Sequence, residues 1–426
     1  MISNMFTKFI HDFDVDFKRL VDKYGTPLYF LDAERVRENY LNLHSNITNL
    51  WKNSLICYAY KANSTLALLK VLRDMGAGAE VVSGGELYAA KLVNMPPERI
   101  VFDGVSKSPL ELAEAIRENI LLINVESMEE LSLIDKFASK FNVKVSLGIR
   151  INFDVKVDTH HYITTGRRFN KFGMDPDSAY TAYKKAQKMK NVNVKGIHIH
   201  IGSQILDIFP YVEVKEKLVN FCRKLKSTLK LALKYVDLGG GFGISYREYE
   251  KSFPISDYCE NVVKPLTSYA GSIFDDDFKI ILEPGRFIVG DAGILITRVN
   301  YVKESGGYKW VLVDAGMNDL IRPALYGAFH PIIPLSKVKD EYEIYNIAGP
   351  ICESSDIFYI GFKAPLIRPG DLLAILNVGA YGISMSSQYN CRPRAAVVMR
   401  DNGEIKLVRR RENYNDIFRC DILEKS

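Results

Sequence analysis

From about residue 55 to 285, short apolar runs alternate with longer stretches of helical period. The strand candidates are LICYAY (55–60), AEVV (79–82), IVFD (100–103), LLIN (121–124), VKVSLGIRI (143–151), NVKGIHIH (193–200), KYVDL (234–238) and FKIILE (278–283). Amphipathic stretches at 110–118, 127–140, 177–190 and 211–233 predict helices between them. These make about eight strand-plus-helix units, in a length close to the ~250 residues of an eight-stranded parallel β/α (TIM) barrel. An open doubly wound sheet is the competing architecture, because alternation does not say whether a sheet closes. After about residue 290, strand-like runs follow one another with only turns between them: ILITRVNYV, YKWVLVDAG, EYEIYNIAG, DLLAILNVGAYG and RAAVVMR. The expected class is therefore α/β plus β. Residues 36–289 are expected to form the barrel. Residues 1–35, with their strand-like PLYFLD (27–32), and 290–426 are expected to form a mainly β domain that completes the active site.

Composition narrows the function classes. The 426 residues are 47% hydrophobic and 25% charged, which is ordinary for a globular protein. A net charge of +5 is too diffuse to imply nucleic-acid binding. Lys184, Lys185, Lys188 and Lys190 read as the solvated face of a helix, and Arg409, Arg410 and Arg411 as a short basic run. Asp12, Asp14 and Asp16 occupy the place of a signal peptide's apolar core, and no apolar stretch is long enough to cross a bilayer. The six cysteines are far apart and include no CxxC pair, so no metal site or disulfide framework is expected. A reduced, cytoplasmic setting fits this pattern.

Functional residues of a β/α barrel gather at the C-terminal ends of its strands. Lys61 follows the first strand, where desolvation favours a nucleophilic amine. Taken alone, it also reads as a rim lysine lying along the surface. The sixth strand ends in His198-Ile199-His200-Ile201-Gly202-Ser203-Gln204. The two histidines have strand spacing and point to the same side; the later one lies nearer the mouth. Gly239, Gly240 and Gly241 after the seventh strand allow backbone N–H groups to approach an anion, and phosphate is the usual guest there. Glu283 ends the eighth strand and needs a partner for its carboxylate: a protonated ring nitrogen or an arginine. Gly285 and Arg286 follow it. In the β region, Arg322 and Tyr326 are of a kind that grips a carboxylate, Cys352 and Glu353 set a thiol beside a carboxylate in one loop, and Tyr381 is a phosphate contact candidate. Each of these is more often structural when taken singly.

Together, and in this order, these segments resemble the fold-type III pyridoxal-phosphate decarboxylases, and among them the diaminopimelate decarboxylases. The resemblance runs from Tyr-Gly-Thr-Pro-Leu-Tyr near the N-terminus to Asn390-Cys391-Arg392-Pro393-Arg394. It implies pyridoxal 5'-phosphate as cofactor and decarboxylation of meso-2,6-diaminopimelate to L-lysine. It implies Lys61 as the lysine that holds the cofactor covalently, and His200 as the ring-stacking histidine. Ser203, Gly240, Gly241, Gly285, Arg286 and Tyr381 match groups around the phosphate, and Glu283 the partner of the pyridine nitrogen. Cys352 matches a proton donor supplied by the partner subunit of a homodimer. Arg286, Arg322, Tyr326, Glu353 and Tyr381 match substrate contacts. His160-His161-Tyr162-Ile163-Thr164-Thr165-Gly166 with Asn170-Lys171-Phe172-Gly173 is similar to that family's active-site loop, and Glu353 stands where ornithine decarboxylases are expected to carry aspartate. Two features depart from the family pattern: Cys391, in place of a small residue, and the looser Phe102-Asp103-Gly104-Val105-Ser106-Lys107-Ser108. The alternatives are a fold-type III decarboxylase of another basic amino acid or carboxylated polyamine, a racemase of related fold, and a non-catalytic pyridoxal-phosphate-binding protein. A racemase needs a second acid/base, usually a tyrosine, where Cys352 stands. A carrier has no use for Arg322 or Cys352.

Overall fold

The computed structural model describes residues 15–157, 170–335 and 341–423; the segment 160–166 of the expected active-site loop lies outside them. Strand β1 (Leu28–Asp32) comes first, followed by β2 (Ser54–Ala59), β3 (Gly78–Val81), β4 (Ile100–Phe102), β5 (Leu122–Val125), β6 (Val145–Arg150), β7 (Val192–His198), β8 (Leu233–Asp237) and β9 (Phe274–Leu282). β2 to β9 are parallel neighbours in chain order, and β9 pairs back onto β2 through Ser54↔Ile280 and Leu55↔Ile281. The sheet is therefore a closed eight-stranded barrel, which decides against the open doubly wound alternative.

Local chemistry explains the helices between these strands. Ser108 and Glu111 form a reciprocal capping box at the start of Pro109–Arg117, with proline in its first turn. The Ser127 hydroxyl caps Met128–Phe141 by accepting from the Glu130 N–H. Asp175 caps Pro176–Ala186, accepting from the N–H groups of Asp177 and Ser178. Lys184, Lys185, Lys188 and Lys190 are exposed, as a solvated face should be. Inside the barrel, Cys57, Val101, Leu122, Tyr235 and Ile281 pack into one buried cluster.

Contacts divide the chain into two units: residues 37–244 with 251–288, and residues 1–36, 245–250 and 289–426. By contacts, residues 245–250 group with the β unit. The β unit adds β10 (Gly293–Ser305), β11 (Tyr308–Val313), β12 (Ile332–Pro334), β13 (Tyr342–Ala348), β14 (Ile357–Pro365), β15 (Leu372–Ile375), β16 (Ala396–Asp401) and β17 (Glu404–Arg409). With β1 they form a nine-stranded sheet of order β14-β13-β11-β10-β1-β16-β17, and β15 pairs with both β10 and β12. β1 lies between β10 and β16 in that order: antiparallel to β10 (Leu28↔Ile296) and parallel to β16 (Leu28↔Ala396). Leu28 and Phe30 are two residues apart on one face and pack with Ile294, Ile296, Ala374, Ala396 and Val398.

Candidate active site

Lys61 lies in a single helical turn, Tyr60–Ala62, directly after β2. The turn is held from the far side of the barrel seam: the Ala59 N–H donates to the Pro284 carbonyl at 3.1 Å. A methyl group at Gly285 would lie 2.9 Å from Ala62 Cβ and 3.2 Å from Ala59 Cβ, so only glycine lets the Glu283–Arg286 segment approach Lys61 this closely. The Lys61 ammonium donates to Glu80 Oε2. Glu80 is an interior residue of β3 with no exposed side-chain surface, whereas about a third of the Lys61 side chain is open (34%). Burial pushes the Glu80 carboxyl up to about 7, against the pull of Lys61 and with the help of Asp103.

Beneath this pair lies a buried polar layer. Strand register sets Arg150, His198 and Asp237 side by side at the ends of β6, β7 and β8. His198 Nε2 is 3.3 Å from Glu283 Oε2 and 3.5 Å from Asp103 Oδ2. Asn124 Nδ2 donates to Asp103 Oδ1 at 2.8 Å and to Asp237 Oδ2 at 3.2 Å. Arg150 pairs with Glu126 at 2.7 Å, and the other Glu126 oxygen accepts the Gly173 N–H at 2.6 Å. Environment separates the carboxylates. Burial opposes ionisation of Asp103, yet His198, Arg150 and Lys61 together hold it down at about 2. Asp237 is raised, by burial first and then by the charge of Glu283. Glu283 is also raised, by burial and then by Asp103 and Glu80. Its Oε1 has no hydrogen-bond partner among the described residues. Asp103, His198 and Glu283 each bring one ligand atom within 4.8 Å of the others, an arrangement that a proton on His198 or a small cation would satisfy.

The two histidines separate cleanly. His198 is fully buried, while His200, beyond the end of β7, is partly open. His200 Nδ1 accepts the Gly240 N–H at 3.1 Å, which places the ring proton on Nε2. Burial, then the charges of Arg150, Lys61 and His198, keep this ring well below the usual histidine range, so it is neutral. The glycine loop is a close approach of three backbones. A Cβ at Gly240 would sit 2.1 Å from the Glu283 carbonyl, and one at Gly241, whose φ is +100°, 2.4 Å from the Gly202 carbonyl. Arg286 Nη2 donates to Ser203 Oγ at 3.1 Å, so these two share one corner of the rim.

The remaining candidates belong to the β unit. Arg322 is buried at the start of the short helix Arg322–Tyr326, and Tyr326 at its end is half-buried. Arg322 Nη1 donates to the Tyr246 hydroxyl at 3.1 Å and meets His330 Nε2 at 2.8 Å. Cys352 and Glu353 are exposed: the Cys352 N–H donates to Asn390 Oδ1 at 2.9 Å, and the Tyr389 hydroxyl donates to Glu353 Oε1 at 2.7 Å. Tyr381 has a φ of +60°, and Cys391 one of +54°. Among non-glycine residues such backbone concentrates at functional or tightly determined sites.

Sequence reasoning passed over Glu80, Asn124, Arg150 and Glu126, and treated Asp103 only as part of an irregular motif. The available signal was a charged or amide residue inside an otherwise apolar strand, which burial forbids unless a partner faces it. Lys107, in that irregular segment, is likewise buried: its ammonium pairs with Glu130 at 2.7 Å and donates to the Gly104 and Asn124 carbonyls.

Residues 34–290 match the family described as pyridoxal-dependent decarboxylase, pyridoxal binding domain. A diaminopimelate decarboxylase of Aquifex aeolicus is 45% identical over 95% of this chain and 93% of its own. One from Methanocaldococcus jannaschii is 42% identical over the same shares. The solved structure of diaminopimelate decarboxylase from Helicobacter pylori complexed with L-lysine superposes with a TM-score of 0.89, at 39% identity, over 95% of this chain and 98% of that one.

Proposed function

Because this chain belongs to the pyridoxal-dependent decarboxylases and, within them, to the diaminopimelate decarboxylases, it converts meso-2,6-diaminopimelate to L-lysine and carbon dioxide, and we propose that the barrel rim around Lys61 and Glu283 is where it does so. The observation that carries this placement is Glu283: a buried, protonation-prone carboxyl at a strand's C-terminal end, with one oxygen left without a hydrogen bond. The residues present fit pyridoxal 5'-phosphate. An acid of this kind suits a protonated ring nitrogen, the neutral His200 ring suits a flat aromatic neighbour, and Ser203, Gly240, Gly241, Gly285 and Arg286 supply hydroxyl, backbone and guanidinium donors for a phosphate. When bound, the cofactor supplies the electron sink that makes loss of carbon dioxide feasible.

The chain's own residues supply the rest. Lys61 provides the amine that holds the cofactor, and Glu80, whose carboxyl titrates near neutrality, takes and returns the proton at Lys61 Nζ. Glu283 holds its negative charge against the ring nitrogen. Arg322, aided by Tyr326, takes the distal carboxylate of the substrate, and Glu353 takes the distal ammonium. Arg286 and Tyr381 serve the phosphate and the reacting end of the substrate. Cys352 delivers the proton that replaces the lost carboxylate. Its exposure, with that of Glu353, supports a homodimer in which a second copy of the chain supplies both. No helix among the described residues is long and apolar enough to cross a membrane, which agrees with the cytoplasmic setting proposed from its thiols.

The test is carbon-dioxide release by the purified protein with pyridoxal 5'-phosphate, comparing meso-diaminopimelate with lysine, ornithine and arginine. Release from meso-diaminopimelate with lysine as product is expected. Equal release from lysine or ornithine would overturn the roles of Arg322 and Glu353, because a site built to pair with a charge rejects substrates that lack it.

A further inference from the structure

Three ligand-bearing side chains meet inside the barrel from three separate strands. Asp103 directly follows β4, His198 ends β7 and Glu283 directly follows β9. All three are almost wholly buried. His198 Nε2 stands 3.3 Å from Glu283 Oε2 and 3.5 Å from Asp103 Oδ2, and the three residues bring one ligand atom each within 4.8 Å of the others. Neither nitrogen of the His198 ring has a hydrogen-bond partner among the described residues. A buried imidazole without a hydrogen bond, facing two carboxylate oxygens, lacks a positive centre between them.

The distances choose between a proton and a metal ion. Both exceed the about 2.7–3.2 Å of a nitrogen–oxygen hydrogen bond. Ligand atoms about 2.0–2.1 Å from a tetrahedral zinc ion, by contrast, lie about 3.3–3.5 Å from one another. One ligand is already oriented: Asp103 Oδ1 accepts from Asn124 Nδ2 at 2.8 Å, which commits that oxygen, and Oδ2 is the one that faces His198. One imidazole nitrogen with two carboxylate oxygens is a donor set for a first-row transition ion such as zinc. Magnesium and calcium prefer shells made of oxygen alone.

We infer that Asp103, His198 and Glu283 bind one divalent transition-metal ion of the zinc class when the cofactor is absent, and that the ion and the cofactor exclude each other. The exclusion rests on the reading of Glu283 given above, because the carboxyl that would meet the ring nitrogen is then a metal ligand. The site itself rests only on the three side chains. Binding displaces the proton that the buried Glu283 carboxyl retains, so uptake of the ion releases acid.

The test titrates zinc chloride into the whole chain freed of cofactor, with the exposed Cys352, Cys391 and Cys420 alkylated, and follows heat and proton release. The expected result is one zinc per chain with release of protons, and no comparable uptake of magnesium chloride. His198→Gln and Asp103→Asn, each checked for a native circular-dichroism spectrum, should weaken zinc binding by more than the roughly 10–100-fold that loss of a supporting contact costs. No zinc bound by the wild type, or binding that survives either substitution undiminished, would overturn the site. The same titration of the cofactor-loaded protein separates the two levels. Loss of zinc binding there is expected, and zinc should slow the growth of cofactor absorbance in the empty protein until a chelator is added. Equal binding by loaded and empty protein would overturn the exclusion, and with it the placement of the ring nitrogen at Glu283, while the metal site stands.

Discussion

Replacing Glu80 with glutamine removes a carboxyl whose titration the fold has moved into the physiological range. In the unfolded chain this group ionises near 4.5, and in the folded barrel near 7, because burial outweighs the attraction of Lys61. A carboxyl raised in this way keeps its proton in the folded state while the unfolded state has lost its own. Stability therefore falls as pH rises from 4.5 to about 7, and is level again above that. Each tenfold separation in acidity is worth about 1.4 kcal/mol, so the full penalty at alkaline pH is roughly 3 kcal/mol. Glu80→Gln has no such proton to lose. Denaturant unfolding of the cofactor-free protein at a series of pH values between 4.5 and 8 measures the effect. The wild type should lose about 3 kcal/mol more than the variant across that window, the difference between the two curves cancelling the other titrating groups. The variant should also be slow to load cofactor, since Lys61 then has no neutral-range base beside it. Parallel stability curves would refute the reasoning, because they would mean that Glu80 is already ionised throughout.

Other perturbations test other parts of the site. Gly240→Ala puts a methyl group 2.1 Å from the Glu283 carbonyl, so the end of β9 must shift; the expected outcome is a folded barrel with little cofactor absorbance, and full loading would refute the close-approach argument. Glu126→Ala strands the buried Arg150 and removes the acceptor of the Gly173 N–H, which should cost about 3–5 kcal/mol in urea unfolding. A cost near zero there would show that Arg150 finds another partner. Cys352→Ala, at an exposed position, should load cofactor normally and turn over about 100-fold or more slowly; an unchanged rate would end its role as proton donor. Mixing Cys352→Ala with Lys61→Ala should restore about a quarter of wild-type activity if each dimer site draws on both chains, and none if the sites are self-contained.

The alternation of strand and helix was legible because it follows from burial on one face, and the caps at Ser108, Ser127 and Asp175 fall where the helical patterns begin. The strands missed in the β unit were β12, only three residues long, β14 and β17. β17 (EIKLVR) has no buried residue and β14 (IFYIGFKAP) is broken by Gly361; both lie at sheet edges, where charge and exposure guard against unwanted pairing. The run DLLAILNVGAYG was read as one strand, but β15 stops at Ile375, because Asn377 and Tyr381 take positive φ and turn the chain away. The grouping of residues 245–250 with the β unit had no local signal at all. It depends on Tyr246 reaching Arg322 and on Ser245 accepting from Asn377, contacts separated by 76 and 132 residues.

The rim residues Lys61, His200, Gly240 and Glu283 could be named because each follows a strand, where the barrel architecture says to look. Glu80, Asn124 and Arg150 could not, because a single charge in an apolar strand looks like an error of strand assignment until closure shows what faces it. Closure brings Glu80, Asp103, Asp237 and Glu283 into one buried region with Lys61, Arg150 and the His198 ring. Four carboxyls with so few cations cannot all ionise in a low dielectric, so the fold must choose. It keeps Asp103 charged by placing His198 and Arg150 against it, and leaves Glu80, Asp237 and Glu283 reluctant. Two of the reluctant three stand where the proposed chemistry needs them: Glu80 beside the Lys61 amine, and Glu283 at the end of β9. A cationic ring nitrogen brought to Glu283 supplies the missing positive charge. On the proposed placement, a protonated ring nitrogen at Glu283 would offset the excess of buried acid in this layer.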